Sequence, residues 1–445
     1  MGHADSHIAT DTKTDLQPFW MPFSPNKEFK AEPKLFTRAS GMYFYTPEDR
    51  AVIDASSGLF CVAAGHCRRE IAEAVYRQLQ TLDFTPPFLR AHPKAFELAE
   101  RVAEYTPKGL NRIFFTNSGS ESVDTAMKTA LMVHRVRGQA QRQLFISRER
   151  AYHGVNMGGV ALAGMANNRR AYGTGLAGVH HMRHTALPQN RMVRGQPEHG
   201  ADLADDLLRF CNLLGGENIA AVFVEPTAGS FGCLPPPKGY LNRLRQICDD
   251  HGILLVFDEV ITGWGRMGAN FAAQAFGVTP DLLCMAKALT NGAQPMGAVA
   301  ARQDIYDTIN EAGPKQGIEF FHGYTYSAHP AACAAGLAMM DIIRDEKLID
   351  RAAAMAPMFA DAMHSLADAP GVVDVRSIGM MAGIEVAAVG TPGARGHALQ
   401  KALYDRGLHL KNTGDTLIVA PAFVAEPKHI DEIATKLREA LVAVG

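Results

Sequence analysis

No stretch of this chain approaches the roughly 20 consecutive apolar residues of a membrane-spanning helix. The opening segment, Met1 to Lys13, is polar, reads as frayed and has no apolar signal-peptide core. Neither sign of charge dominates: 44 Lys+Arg stand against 46 Asp+Glu, a formal net charge of -2, so no global field draws nucleic acid or anionic membrane. Cysteine is sparse, seven residues at 61, 67, 211, 233, 248, 284 and 333, with no C-x-x-C pair and no metal spacing. They read as buried thiols of a reducing compartment. No G-x-G-x-x-G opens the first strand–helix unit, which argues against a nicotinamide dehydrogenase. Repeats and low-complexity tracts are absent. The Met1-Gly2-His3-Ala4-Asp5-Ser6 run fits the loose myristoylation pattern, a match short enough to be chance. What remains is a cytoplasmic, enzyme-sized chain of 445 residues, 47% hydrophobic, with room for two domains.

The most informative stretch runs from Gly252 to Lys287. Gly252-Ile253-Leu254-Leu255-Val256-Phe257 is a short apolar run that ends at Asp258-Glu259. It reads as a strand buried on both faces of a parallel sheet. A second run, Leu282-Leu283-Cys284-Met285-Ala286, delivers Lys287. Ligands of open α/β sheets bind just past the carboxyl ends of such strands. A desolvated lysine there can form a Schiff base with a carbonyl, and a carboxylate beside it can keep a pyridinium nitrogen protonated. The competing reading is a structural Asp258–Lys287 salt bridge. Choosing between them requires a phosphate cradle, a ring-stacking group and a sheltered pocket.

Along the chain, Phe19-Trp20-Met21-Pro22-Phe23 is too apolar to be loose; it either anchors the N-terminal arm or brings Trp20 or Phe23 to a substrate entrance. Gly41–Tyr45 and Ala51–Asp54 alternate as a hairpin around Pro47-Glu48-Asp49. Ile71, Val75 and Leu79 recur at helical spacing within residues 69–82. Asn111–Phe115 is a strand, followed by Thr116-Asn117-Ser118-Gly119-Ser120-Glu121. Ser118 with Glu121 three positions on is a capping box, and a small Gly-containing turn into a helix N-terminus suits an anion. Leu144–Ile146 is a third strand feeding Tyr152-His153-Gly154, where an aromatic followed by glycine suits stacking on a flat ring. Residues 173–200 read as an irregular excursion whose His180, His181 and His184 are solvated rather than metal ligands. Ile219–Val224 is a fourth strand ending in Glu225-Pro226. Strands alternate with helices such as Leu241–Asp249, the pattern of a parallel sheet. Ser120, Tyr152, Glu225, Asp258 and Lys287 on one rim outweigh the salt-bridge reading.

Beyond Lys287 lies a Gly/Pro-rich loop, Thr290–Gly297, then Phe320–Ser327 and a small-residue helix, Ala331–Ile343, where composition turns into a C-terminal domain. Strands at Val372–Arg376 and Ala382–Val386, a helix near Ala398–Arg406, a strand pair around Lys411–Pro421 and a closing helix, Pro427–Val442, complete it.

Thr116–Glu121, Tyr152-His153-Gly154, Val224-Glu225-Pro226, Phe257-Asp258-Glu259-Val260 and Ala286-Lys287-Ala288 together resemble the class III pyridoxal-phosphate aminotransferases. Trp20–Phe23, Gly323–Pro330 and Gly414-Asp415-Thr416 bring the chain closest to the ω-amino acid:pyruvate (β-alanine:pyruvate) transaminases. The resemblance covers nearly the whole chain beyond about residue 17. It implies the type I pyridoxal-phosphate fold: a seven-stranded, mainly parallel large domain (66–328) and an α+β small domain from both chain ends (1–65 and 329–445). It implies that Lys287 binds the cofactor aldehyde and moves the proton, and that Asp258 pairs with the pyridine nitrogen. Tyr152 and Val260 would press on the two ring faces, and Ser118, Gly119 and Ser120 would hold the phosphate, joined by Thr325 from the other subunit of a homodimer, alone or doubled into a tetramer. Glu225 and His153 would complete the cofactor site, and Trp20, Phe23, Leu59, Phe60, Tyr152 and Lys411 the substrate site; no metal is implied.

Three positions depart from the family pattern. Phe60 replaces Trp and Cys67 replaces Gly, both expected to reshape the pocket wall. Lys411, in Lys411-Asn412-Thr413-Gly414-Asp415-Thr416, replaces the arginine that clamps the substrate carboxylate. Arg169 and Arg266 are the other candidate clamps. The expected reaction moves an amino group from an ω-amino acid or primary amine to pyruvate, giving L-alanine and an aldehyde or ketone. The alternatives are an aminomutase or decarboxylase on the same fold, or a non-catalytic ligand-binding regulator.

Overall fold

The computed structural model describes residues 15–173 and 175–444; the polar opening segment and its Met1–Ser6 pattern lie outside them. Three short strands come first: β1 (Arg38–Ser40), β2 (Tyr43–Tyr45) and β3 (Ala51–Asp54). The expected hairpin is β2–β3, with Phe44 opposite Val52. The central sheet then takes β4 (Arg112–Thr116), β5 (Leu144–Arg148), β6 (Val179–Met182), β7 (Ile219–Val224), β8 (Leu254–Asp258), β9 (Leu282–Met285) and β10 (Gly297–Ala301). Its order is β4-β10-β9-β8-β7-β5-β6, and only β10 runs against its neighbours.

β7, β8 and β9 are buried along their whole length, because helices cover both faces of a parallel sheet. Alternation decides which face each residue serves. Phe223, Leu254 and Val256 pack with Val123, Ala126 and Met127 of the helix Gly119–Val136, whereas Val224, Leu255 and Phe257 face the opposite core. Glu225 and Asp258 continue the first series, so both carboxylates leave the strand ends on the side of that helix.

The remaining strands are β11 (Val372–Ile378), β12 (Met381–Val386), β13 (Leu408–His409), β14 (Lys411–Thr413) and β15 (Thr416–Val419). They form a sheet β11-β12-β15-β14, while β13 joins β3 in parallel. That pairing ties the two ends of the chain together.

Three readings need correction, and one strand went unread. Residues 173–200 contain β6, the edge strand of the central sheet, paired in parallel with β5. Its Val-His-His-Met sequence has no apolar run, since an edge strand half covered by protein needs none. His180 lies 5.6 Å from the Phe210 ring, and His181 Nε2 lies 3.1 Å from the Leu162 carbonyl oxygen. All three histidines, His184 included, are half-buried rather than solvated. β10 hides in the small-residue run Gly297–Ala301, where Val299 alone is one of the branched residues that mark strands. In the helix Arg69–Thr81, Ile71 and Gln78 are buried while Leu79 is exposed. Finally, Cys67 is exposed and Cys61 partly so; the other five thiols are buried.

Cys67 also takes a left-handed backbone, φ 55°, a conformation glycine adopts freely and other L-residues do not. It does not line the pocket around Lys287, so the substitution acts on the backbone rather than the pocket wall. Cys67→Gly is expected to stabilise the chain by about 0.5–1 kcal/mol, the strain relieved less the extra freedom gained by the unfolded chain. Thermal unfolding should show a rise of about one to two degrees; an unchanged or lower midpoint refutes the strain.

Candidate active site

The ends of β7, β8 and β9 lie side by side, bringing Glu225, Asp258 and Lys287 to one cavity of ≈ 340 Å³. Asp258 pairs in register with Cys284, and β9 then breaks at Ala286 into a tight turn, Lys287–Thr290. Lys287 sits at φ 51°, a left-handed conformation that costs a lysine about 1–3 kcal/mol and tends to cluster at functional sites. Burial pushes its amine below the ordinary lysine value; Cys61, Asp258 and Glu225 oppose that shift.

Asp258 is buried, with one hydrogen bond to each oxygen. Its Oδ2 lies 2.8 Å from His153 Nδ1, and its Oδ1 accepts from the Val260 N–H at 3.1 Å. His153 is itself buried, and its Nε2 has no partner among the described residues. The two contacts fix the carboxyl in place at the strand tip. Glu225, 4% exposed, accepts from the Tyr152 N–H at 2.9 Å and the Gly229 N–H at 3.1 Å. Burial raises its carboxyl above the usual range, Asp258 adds to this, and His153 opposes it. Arg148 Nη2 donates to the Glu225 carbonyl oxygen at 3.1 Å, so two strand ends are cross-braced beneath the cavity.

Opposite the carboxylates, the helix Gly119–Val136 begins at the cavity. The Glu121 N–H donates to Ser118 Oγ at 3.2 Å, and Glu121 Oε2 accepts from the Asn117 N–H at 2.7 Å. The capping box is present, reaching one residue further back than expected. The N–H groups of Gly119 and Ser120 have no acceptor among the described residues, and they point the positive end of an 18-residue helix at the cavity. Side chains are excluded here. A Cβ on Gly119 would stand 2.9 Å from both Val260 methyls, and one on Gly154 would meet Ser120 Oγ at 2.5 Å. Tyr152, His153 and Val260 complete the wall.

These residues fit pyridoxal phosphate. The glycine-lined helix start is an anion cradle, Asp258 is a carboxyl held in place where it could face a pyridinium nitrogen, and Lys287 is an amine with its proton loosened. Tyr152 and Val260 supply two walls for a flat ring.

The structure thus gathers Ser118, Gly119, Ser120, Tyr152, His153, Glu225, Asp258, Val260 and Lys287 around one cavity. The substrate-side residues are less centred on it. Phe60 is buried and stands 5.9 Å from Lys411 Nζ, measured to the ring centroid; Leu59 is exposed and outside the cavity wall. Trp20 and Phe23 are 88% and 80% exposed and reach no wall of this cavity. Both side chains of the arm are therefore left bare in this chain, while Met21 is half-buried beside them. Thr325 is likewise exposed and outside the wall. Arg266 is not free to clamp anything, since it donates to the carbonyls of Met380 and Pro421 and to Ser57 Oγ. Arg169 lies 3.4 Å from the His181 ring, away from the cavity wall.

Sequence reasoning missed Cys61, Asn117, Ile261 and the Thr290–Met296 loop as wall residues. The position of that loop straight after Lys287 was a usable signal. Cys61 offered none, being one apolar-flanked thiol among seven.

Residues 26–441 match the family model of class-III aminotransferases. The chain is 55% identical to the omega-aminotransferase of Caulobacter vibrioides, over 96% of this chain and 98% of that protein. It is 46% identical to the omega-amino acid–pyruvate aminotransferase of Pseudomonas putida, over 99% and 98% respectively. The omega transaminase of Pseudomonas jessenii, solved in complex with PMP, superposes with a TM-score of 0.91 at 29% identity, covering 96% of each chain. With the expected type I fold and the lysine–aspartate pair both in place, this chain belongs to the class-III aminotransferases.

Proposed function

We propose that this aminotransferase uses pyridoxal phosphate to move an amino group from an ω-amino acid or primary amine to pyruvate, releasing L-alanine and an aldehyde or ketone. The observation that carries the reading is the placement of Lys287 and Asp258 at neighbouring strand tips around one glycine-lined cavity. The printed names of relatives at 55% and 46% identity, omega-aminotransferase and omega-amino acid–pyruvate aminotransferase, support it over an aminomutase, a decarboxylase or a non-catalytic regulator. No helix of the described residues is long and apolar enough to cross a membrane, in keeping with work in the cytoplasm.

Pyridoxal phosphate, when bound, supplies an aldehyde for the amine and a ring able to draw off electron density. The protein does the rest. Gly119 and Ser120 would present backbone N–H groups to the phosphate, and Tyr152 and Val260 would confine the ring. Asp258, steadied by His153, would keep the ring nitrogen protonated. Glu225 would set the hydrogen bonding beside it. Lys287 Nζ takes the proton from the substrate carbon next to the amine and returns it on the other side of the exchange. A panel of amine donors against pyruvate, following cofactor absorbance through each half-reaction, should show ω-amino acids and simple amines converting the cofactor, with L-alanine formed in equal amount. Release of carbon dioxide, or isomerisation without pyruvate, would overturn the assignment.

The same proposal divides the chain into an arm and small-domain portion (1–65), a large domain (66–328) and a C-terminal small domain (329–445), and makes the working unit a homodimer. The apolar side chains left bare in one chain, Trp20, Phe23, Leu89 and Phe321 among them, support a second copy as their cover, with Thr325 completing its partner's phosphate site. Losing one hydrogen bond to a charged group costs about 1.5–3 kcal/mol, or roughly 10- to 100-fold in cofactor affinity. At a cofactor concentration between the two affinities, Thr325→Ala dimers should therefore be largely inactive. Mixed dimers with Lys287→Ala chains hold one site with both lesions and one with neither, so they should recover about half the activity per dimer. Heterodimers that form yet regain nothing rule out shared sites.

A further inference from the structure

A second cavity, of ≈ 330 Å³, shares no wall residue with the one around Lys287. One side is built by segments that leave the central sheet: Arg150 follows β5, and His184 and Arg191 follow β6. The other side is the sheet β11-β12-β15-β14, with Asp374 and Arg376 on β11 and Glu385 on β12. The volume stands at the small end of the roughly 300–1,000 Å³ typical of ligand pockets. Three arginines against two carboxylates leave this wall one positive charge in excess.

The wall also holds more free donors than free acceptors. Arg376 is committed: it donates to Asp374, to Glu385 Oε2 at 2.8 Å and to the Gly232 carbonyl at 3.1 Å. Asp374 is committed with it, since its Oδ1 accepts from the Met192 N–H at 2.7 Å. One carboxylate oxygen, Glu385 Oε1, remains.

Arg150 is different. Its guanidinium lies over the Phe231 ring, 4.8 Å from the centroid, and makes no side-chain hydrogen bond or ion pair among the described residues. Stacking uses the flat face of the group and leaves the N–H donors of its edge available. The residue is half-buried, so water reaches those donors only in part. Its backbone is left-handed, φ 65°, the kind of strained conformation that clusters at ligand clamps. Near it, His184 Nδ1 is buried without a partner among the described residues. Burial, with Arg150 adding to it, keeps that ring neutral, and a neutral imidazole can carry its one proton on Nδ1. Arg191, the exposed member of the wall, has no side-chain partner among the described residues either.

A partly desolvated cation is costly until a counter-ion reaches it, and the planar fork of arginine matches two oxygens of a carboxylate or phosphate. We propose that this cavity is a second anion site, apart from the cradle at Gly119 and Ser120, which takes the phosphate or carboxylate group of a small molecule between Arg150, His184 and Arg191. Glu385 is the one charge set against such a ligand, and Arg376 already pairs with it. Because each sheet contributes one side, the bound anion also ties the ends of β5 and β6 to β11 and β12. The site stands whether or not the reaction proposed above is the right one.

Inorganic phosphate and malonate are the probes, each titrated by calorimetry into the holoenzyme in a buffer free of other multivalent anions. Anything that binds at Gly119 or around Lys287 survives Arg150→Gln, so the binding that this variant loses reads the second cavity alone. Losing a hydrogen-bonded charge should weaken the bound probe about 10- to 100-fold. Arg150→Lys, which keeps the charge and not the fork, should fall between, and His184→Leu should weaken binding about 2- to 10-fold. The thermal unfolding midpoint of the wild type should show a saturating rise with the probe, and that of Arg150→Gln should not. Arg150-dependent binding of phosphate alone assigns the site to phosphorylated ligands, of malonate alone to dicarboxylates, and of both to oxyanions at large. Affinities for both probes that are unchanged in Arg150→Gln, Arg150→Lys and His184→Leu, or no binding of either in the millimolar range, overturn the site.

Discussion

Lys287→Ala should lower kcat by about four orders of magnitude or more, and the protein should lose its covalent hold on the cofactor. The size follows from the two tasks given to one amine. Proton transfer by a positioned side chain contributes about 10²–10⁴-fold, and under the proposed function the same lysine would also hold the cofactor aldehyde before substrate arrives. Neither task passes to another group. Asp258 is engaged by His153 and Val260. Lys411, the other lysine facing the site, is directed at Phe60. Borohydride reduction of the holoenzyme followed by peptide mapping should place the label on Lys287, and small primary amines added to Lys287→Ala should restore part of the rate. A label on Lys411, or a variant retaining more than a hundredth of the wild-type kcat, would reassign the base.

The loosened proton on Lys287 has the same physical origin as its strained backbone. The turn that breaks β9 at Ala286 places the lysine at φ 51° and carries its amine under the loop Thr290–Met296. No propensity rule foresees a lysine in that conformation. The strand before it was legible because β8 and β9 are buried on both faces and so consist of unbroken apolar runs. The strands that escaped notice are those for which this logic fails. β6 is a half-covered edge, and β10 is packed between β4 and β9 by small residues.

The site divides along the same line. Ser118, Gly119, Tyr152, Glu225, Asp258 and Lys287 were legible because each lies at or just beyond the end of a core strand, where chain direction alone dictates that side chains gather. His153 was visible only through resemblance, and its bond to Asp258 depends on the β5 and β8 ends lying within reach across β7. Trp20, Phe23 and Thr325 lie exposed in this chain and away from the cavity wall. Lys411 was legible as a substitution. That its half-buried amine faces the Phe60 ring needed the fold of both chain ends around β13 and β14.

Asp258→Asn should lower kcat by two to four powers of ten while the protein still binds cofactor. The carboxylate is the negative charge at the β8 tip, and it is buried against His153 at 2.8 Å. Asparagine fits the space, and its oxygen can still accept from the Val260 N–H, so the backbone at the strand end need not move. What changes is charge and tautomer. The amide turns a donor towards His153 Nδ1, so the ring must accept there and carry its proton on Nε2, an atom with no partner among the described residues. The positive ring nitrogen that Asp258 would face loses its counter-ion in a sheltered site. Removing one member of a buried charge pair costs about 3–5 kcal/mol, and each 1.36 kcal/mol added to the barrier is tenfold in rate. The phosphate cradle at Gly119 and Ser120 is untouched, so cofactor affinity should fall far less than kcat. Absorbance of the bound cofactor should shift as its ring nitrogen loses its proton, whereas Glu225→Gln, which keeps Asp258, should leave the ring protonated. An Asp258→Asn enzyme within tenfold of wild-type kcat, or one whose cofactor band is unmoved, would show that the β8 carboxylate braces His153 and does nothing for the ring.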